Sequence, residues 1–251
     1  MNLDLLGKTA LVTGASGDLG AACAELLAAE GARVRVAGRR EAALEALVAR
    51  IRAAGGEAEA AAGDLADDAY RAALVPDDGG PDIVVHAAGH RFAYAKLHSA
   101  SQEDRALSFA IEYDAFADIA RRALPQMMAR RFGRLVAVTS LVATAGAGGS
   151  PHYAAAKAAL EGLVRVIAVD YGRYRITANA VAPGFIDTER FAMRTEGGDQ
   201  RERLAAATST KRIATPREIA APIAFLCSPL ASAITGATLV VASGSQLNNL
   251  W

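Results

Sequence analysis

Short apolar runs alternate with stretches of helical period from the first residues onward, and that alternation is the mark of a parallel sheet with crossover helices. Residues 9–13 read as a strand, 19–30 as a helix, and 33–37 as a second strand that ends at Gly38. Leu44, Leu47, Val48 and Ile51 then fall at i, i+3, i+4 and i+7, one apolar stripe on a helix that Gly55-Gly56 stops. Residues 57–62 make a weaker third strand. Residues 82–86 make a stronger fourth, because Ile83-Val84-Val85 is a β-branched run bounded by turn signals. The pattern continues with a long helix over 102–130 in spite of Pro125, a strand at 134–139, a helix at 153–171 and a strand at 176–181. Two helices within 199–228 and a last strand at 237–241 complete it. The order predicts an α/β fold, a doubly wound sheet of about seven parallel strands with helices on both faces.

The polar turn Pro76-Asp77-Asp78-Gly79-Gly80-Pro81 and the glycine-rich loop over 143–151 interrupt the pattern. Neither is long enough to link two domains, so residues 1–251 read as a single domain. With 52% hydrophobic and 22% charged residues, the chain has the apolar content that a packed core needs. Lys plus Arg (27) balance Asp plus Glu (27), which removes the basic footprint of a protein that binds nucleic acid or an anionic membrane. Small molecules and further copies of the chain are the expected partners. Cys23 and Cys227 are too few for a disulfide framework and lack zinc-ligand spacing, so a reducing compartment fits. The N-terminus lacks the basic start and apolar core of a signal peptide, and no run reaches the roughly 18 apolar residues of a membrane span. The expected location is the cytoplasm.

Candidate chemistry begins where the first strand runs into Thr13-Gly14-Ala15-Ser16-Gly17-Asp18-Leu19-Gly20 and a helix. A doubly wound fold places a dinucleotide pyrophosphate there: glycines let the backbone approach the phosphates, and the helix N-terminus presents N–H groups to them. Gly14, Ser16, Gly17, Asp18, Leu19 and Gly20 are therefore candidate cofactor residues, although a tight strand-to-helix turn without a ligand would look alike. After the second strand stand Arg39 and Arg40, with no carboxylate before Glu41. Guanidiniums suit the 2′-phosphate of NADP, whereas NAD calls for a carboxylate. Two cations at a helix start oppose its dipole, so a solvated helix end accounts for them less well. NADP(H) is the expected cofactor.

Ser140 closes the fifth strand, and Tyr153 and Lys157 lie at i and i+4 in Ser150-Pro151-His152-Tyr153-Ala154-Ala155-Ala156-Lys157, on one helix face. An ammonium beside a phenol stabilises phenolate and makes the phenol a usable acid or base. Ser140 can donate a hydrogen bond to a carbonyl oxygen that such a phenol would protonate. Singly, each has an ordinary structural explanation.

Together with the glycine turn, with Asp64-Leu65, with His86-Ala87-Ala88-Gly89 and with Asn179-Ala180-Val181-Ala182-Pro183-Gly184-Phe185-Ile186-Asp187-Thr188, this set resembles the short-chain dehydrogenase/reductase family over nearly the whole chain. It looks most like the β-ketoacyl carrier-protein reductases and related bacterial carbonyl reductases. The resemblance implies a Rossmann-type fold and metal-free chemistry. It implies that Tyr153 protonates the carbonyl oxygen as hydride arrives, that Lys157 holds the nicotinamide ribose and that Ser140 orients the substrate. Asp64 and Leu65 would flank the adenine, and Ala88 and Gly89 would pass close to the cofactor. Pro183, Gly184, Ile186 and Thr188 would line its nicotinamide end and begin a substrate lid near 185–212. Pairing of the two long helices, 102–130 and 153–171, would make a homodimer or homotetramer and bring Phe116, Ile119, Leu163 and Val164 near the interface.

The sequence departs from the family's pattern at particular residues. Asp18 stands where a glycine is usual and Gly17 comes one residue early, as in the larger extended members; Asp18 is placed to cap the first helix and also faces the pyrophosphate. The basic residue common at position 17 in NADP-using members is missing. His86 replaces the first Asn of Asn-Asn-Ala-Gly and reads as a structural, hydrogen-bonding histidine. Glu112 occupies the place of the family's catalytic Asn, which helps hold a water on the lysine, so it joins Ser140, Tyr153 and Lys157 as a candidate catalytic residue, expected to reach toward Lys157 directly or through water. Ala242-Ser243-Gly244 replaces Asp-Gly-Gly after the last strand.

The leading expectation is an NADPH-dependent reductase of a ketone, or the reverse alcohol oxidation. Its substrate is a small carbonyl compound or a carrier-bound acyl chain. The alternatives are a catalytically silent nucleotide-binding subunit and a relative with imine or non-redox chemistry that uses Glu112. Candidate substrate residues are His90, Phe92, Tyr94, Leu141, Val142, His152, Phe185, Phe191 and Met193, a mostly apolar set with two imidazoles.

Overall fold

A computed structural model describes residues 2–90, 94–196 and 198–247. Strands β1 (Thr9–Thr13), β2 (Arg33–Gly38), β3 (Glu57–Ala62), β4 (Ile83–His86), β5 (Gly133–Val138), β6 (Ile176–Pro183) and β7 (Thr238–Val241) form one sheet of order β3-β2-β1-β4-β5-β6-β7. Every neighbouring pair is parallel. The helices, in chain order, are α1 (Asp18–Ala29), α2 (Glu41–Ala53), α3 (Asp68–Leu74), α4 (Gln102–Phe109) and α5 (Ala115–Arg130). They continue as α6 (Val142–Ala145), α7 (Pro151–Tyr171), α8 (Glu189–Arg194), α9 (Gln200–Ala207) and α10 (Pro216–Cys227). No helix of the described residues is long and apolar enough to cross a membrane.

Side chains of a strand alternate between faces, and here both faces are covered. Val12, Val34, Val36, Val85 and Val136 pack with Leu27, Leu44, Leu47 and Ile223 of α1, α2 and α10 on one side. Leu11, Val84, Leu135 and Ala180 pack with Phe116, Ile119, Leu160 and Val164 of α5 and α7 on the other. Strand order reverses at β1 and β4, whose register pairs Thr13 with His86. The crevice at this point, beyond the carboxyl ends of the strands, is where such sheets bind ligands.

Three expectations are corrected. The helix expected over 102–130 is broken: Ala110–Asp114 form a π turn between α4 and α5. His86 Nε2 donates to the Ile111 carbonyl at this turn (3.0 Å), so a side chain claims a backbone acceptor there. The short helices α3, α6 and α8, of 7, 4 and 6 residues, carry too little periodicity to be predicted. Finally, Phe116, Ile119 and Val164 do not face a partner: they are at most 1% exposed, because α5 and α7 spend those side chains on the sheet. Of the large apolar residues of α7, Val166 and Val169 are the exposed ones.

Candidate active site

A cleft of about 1000 Å³ opens at the crossover between β1 and β4. The β1–α1 turn forms its floor. Gly14 has φ +69°, and a Cβ there would lie 2.5 Å from the Ala88 nitrogen, so only glycine lets the two loops meet. A Cβ on Gly20 would strike the Gly14 carbonyl, which brings α1 hard against the turn. The N-cap of α1, Gly17, makes no side-chain cap hydrogen bond, so the first turn is left for a ligand. Ser16, Asp18 and Leu19 also line this end.

Asp18 does not cap α1. Its Oδ2 instead accepts the Glu189 N–H at 2.8 Å, tying the start of α8 to the glycine turn. Thr188, the N-cap of α8, accepts from Phe191 N. Within the 185–212 segment, Arg201 pairs with Asp187 at 2.6 Å, and the Phe185 and Phe191 rings meet tilted, their centres 5.9 Å apart.

At the far side, Arg39 and Arg40 are exposed and line the cleft, and the Arg40 guanidinium donates to the Ser16 carbonyl. Asp64 and Leu65 line the same end, where Arg71 donates to the Leu65 carbonyl at 2.7 Å and steadies the loop. A glycine cradle under an uncapped helix, flanked by two guanidiniums with no carboxylate at the end of β2, fits a dinucleotide.

At the other end Ser140, Tyr153 and Lys157 converge. Tyr153 and Lys157 share one face of α7, with Lys157 Nζ 5.7 Å from the Tyr153 ring centre. Lys157 is buried and donates to the Val138 carbonyl at 2.7 Å. Glu112, 0% exposed, stands 2.5 Å from the same ammonium. Burial alone would depress Lys157; the Glu112 carboxylate beside it, and the Tyr153 phenolate when that group ionises, outweigh burial and push the ammonium above its ordinary value. Burial pushes the Tyr153 phenol up and Glu112 adds to this, while Lys157, the Ser140 hydroxyl and Arg190 of α8 pull it down; the net shift is upward.

His86 is buried, with Nδ1 2.9 Å from the Thr13 hydroxyl. Burial, and then repulsion by Lys157, push its pKa down to about 3, so the ring is neutral: Nε2 carries the proton to Ile111, and Nδ1 accepts from Thr13. It is a structural histidine.

Ala88, Gly89, Pro183, Gly184, Ile186 and Thr188 line the cleft beside the Ser-Tyr-Lys set. Of the candidate substrate residues, His90, Tyr94, Val142, Phe185, Phe191 and Met193 line the cleft; Phe92 lies outside the described residues. Leu141 and His152 do not line it. Both are buried, and a helix that turns Tyr153 into the cleft turns its neighbour His152 away. Sequence reasoning missed Arg190 and Arg194, cationic residues that follow the Thr188 cap and line the cleft. A second cavity, of about 740 Å³, lies at the opposite ends of β1, β2 and β3; of its arginines, Arg35 pairs with Glu59, Arg130 with Asp82, and Arg52 donates to the Ala58 carbonyl, and no member of the Ser-Tyr-Lys set lines it.

The sheet, the glycine cradle and the Ser-Tyr-Lys cluster together define a nicotinamide-dependent oxidoreductase of the doubly wound class. A family model described as enoyl-(acyl carrier protein) reductase matches residues 14–246. A 3-oxoacyl-(acyl-carrier-protein) reductase of Vibrio cholerae is 36% identical, with 98% of this chain and 100% of the relative covered. The cis-4-hydroxycyclohexanecarboxylate dehydrogenase of Sinomonas cyclohexanicum is 37% identical, with 94% and 96% covered. Among solved structures, the NADP-bound 3-oxoacyl (acyl-carrier-protein) reductase of Agrobacterium tumefaciens C58 is 33% identical and superposes with a TM-score of 0.91 over 97% of this chain and 96% of that one. The chain belongs to the short-chain dehydrogenase/reductase family of NAD(P)-dependent oxidoreductases, which interconvert alcohols and carbonyls.

Proposed function

We propose that the protein reduces a ketone with NADPH. One observation carries the reading: Ser140, Tyr153 and Lys157 meet at one end of a single cleft whose other end carries Arg39 and Arg40. The arginines would hold the 2′-phosphate, and the β1–α1 turn the pyrophosphate. When bound, the reduced nicotinamide supplies the hydride. Tyr153 donates its phenol proton to the carbonyl oxygen, Ser140 donates a hydrogen bond to that same oxygen, and Lys157 anchors the nucleotide ribose beside them. The 185–212 segment acts as a lid, latched to the glycine turn through Asp18.

The substrate end, with Tyr94, Phe185 and Phe191, suits a cyclic or acyl carbonyl compound, free or carrier-bound. Both types occur in the names of similar proteins. Glu112 does not line the cleft, which weighs against the alternative in which Glu112 itself acts on the substrate.

A titration with both nicotinamides and a panel of ketones tests the proposal. NADPH is expected to bind about tenfold or more tighter than NADH, the worth of one charge-assisted phosphate contact. Tyr153→Phe is expected to keep cofactor binding and lose about 100-fold or more in reduction rate. Tighter binding of NADH, or an undiminished rate in Tyr153→Phe, would overturn it.

A further inference from the structure

The π turn pushes Glu112 into the protein, beneath the loop that follows β4. Its Oε1 accepts the His90 N–H at 2.7 Å, and a Cβ on Gly89 would sit 3.4 Å from the same oxygen. Its Oε2 lies 2.5 Å from Lys157 Nζ, with the two side chains 0% and 3% exposed. The carboxylate is therefore fixed at both oxygens, one by backbone and one by charge. A lysine ammonium has three donors. In Lys157, one goes to the Val138 carbonyl and one meets Glu112, which leaves a single donor for the cleft.

We propose that Glu112 is a positioning residue: a buried counter-ion that fixes Lys157, offsets its charge and keeps Tyr153 in the phenol form, so that the site is set for carbonyl reduction rather than alcohol oxidation. The inference rests on the reduction reading above.

The charges around Tyr153 define the balance. Lys157 faces it from its own helix, Glu112 from the π turn and Arg190 from α8; the Ser140 hydroxyl follows β5. His86, which also senses Lys157, is neutral and adds no charge. Glu161, one turn beyond Lys157 on α7, is held by the Thr139 hydroxyl at 3.1 Å and by Arg165. An unopposed ammonium next to Tyr153 would stabilise phenolate, the form that takes a proton from an alcohol. With a carboxylate against it, the pair is close to neutral as seen from the phenol. The phenol keeps its proton, and reduction consumes that proton.

The test is a tyrosinate titration by ultraviolet difference absorbance on the protein without cofactor, with Tyr153→Phe as the subtraction reference. In the parent protein, Tyr153 is expected to titrate above the ordinary phenol value. Glu112→Gln keeps an acceptor for His90 and removes the charge; it is expected to lower the midpoint by about one pH unit or more, a tenfold change in the equilibrium. With cofactor and a substrate pair, the pH profile of oxidation in Glu112→Gln is expected to move in the same direction. Glu112→Asp, which restores the charge, is expected to return both toward the parent. A parent midpoint below the ordinary phenol value, or coincident titrations of parent and Glu112→Gln, would overturn the inference. The parent midpoint serves even where Glu112→Gln does not fold. Because the titration needs neither substrate nor turnover, its result stands apart from failure of the reductase reading.

Discussion

At the scale of the residue, His86 shows how one substitution reorganises its surroundings. Its two ring nitrogens join Thr13, at the end of β1, to Ile111, in the π turn, and so the imidazole fastens the strand crossover to the helix that carries Glu112. The ring is neutral and fully buried, and its pKa falls to about 3 from an ordinary 6.5. Between those values the unfolded chain binds a proton that the folded chain refuses. Stability therefore rises with pH through this window and is lost as pH falls from about 6.5 toward about 3, at up to roughly 1.4 kcal/mol per pH unit for one proton. Urea denaturation at pH 7 and pH 5 is expected to show this loss, and His86→Asn to flatten the slope by up to one proton. An unchanged slope would mean that other groups carry the acid sensitivity. The hydrogen-bonding role of His86 was legible in the sequence from its place in His86-Ala87-Ala88-Gly89; its partner was not, because Ile111 is 25 residues away and enters only through tertiary packing.

Elements with long, regular periodicity were legible: the stripe Leu44, Leu47, Val48, Ile51 is the buried face of α2, and the β-branched run Ile83-Val84-Val85 is the core of β4. The π turn at Ala110–Asp114 was not, since hydrophobic spacing over 102–130 does not report one extra residue in a turn; the approach of Glu112 to Lys157, expected directly or through water, was legible, and it is direct, at 2.5 Å. Helix α8 was hidden for a different reason: its six residues are held by the Thr188 cap and by Asp18, 171 positions away from the bonded Glu189. That last bond predicts a behaviour. Asp18→Asn preserves an oxygen for the Glu189 N–H but removes a negative charge from the phosphate cradle, so NADPH is expected to bind more tightly, by about fivefold at low salt, with the gain fading as salt screens it. Asp18→Ala removes the tether as well, and limited proteolysis across α8 is expected to speed up in it and not in Asp18→Asn. Equal proteolysis in both variants would show that the bond does not restrain the segment.

At the scale of the molecule, the alternation of strand and helix determined the sheet, because a right-handed crossover between parallel strands leaves few arrangements for seven of them. Assembly was less legible. Apolar residues of α5 and α7 were expected at an interface, yet a helix that covers a sheet directs its strongest apolar stripe inward, and Phe116, Ile119 and Val164 went there. The outer side of α7, beyond the exposed Ala155 and Ala158, carries a ridge at i, i+4 and i+7: half-buried Gly162, beside which an added Cβ meets nothing within 4 Å, then Val166, 56% exposed, and Val169, 82% exposed. Glycine and valine at this spacing let another helix approach closely, and a second copy of the same helix across a two-fold axis offers the same ridge in return. The protein is expected to be a dimer or tetramer in light scattering at micromolar concentration. Val169→Asp places a charge where the ridge is widest open and costs the monomer little, since the side chain touches solvent already; it is expected to halve the mass while leaving the thermal unfolding of the monomer nearly unchanged. A parent protein of monomeric mass, or a Val169→Asp variant that stays fully assembled, would remove α7 from the interface.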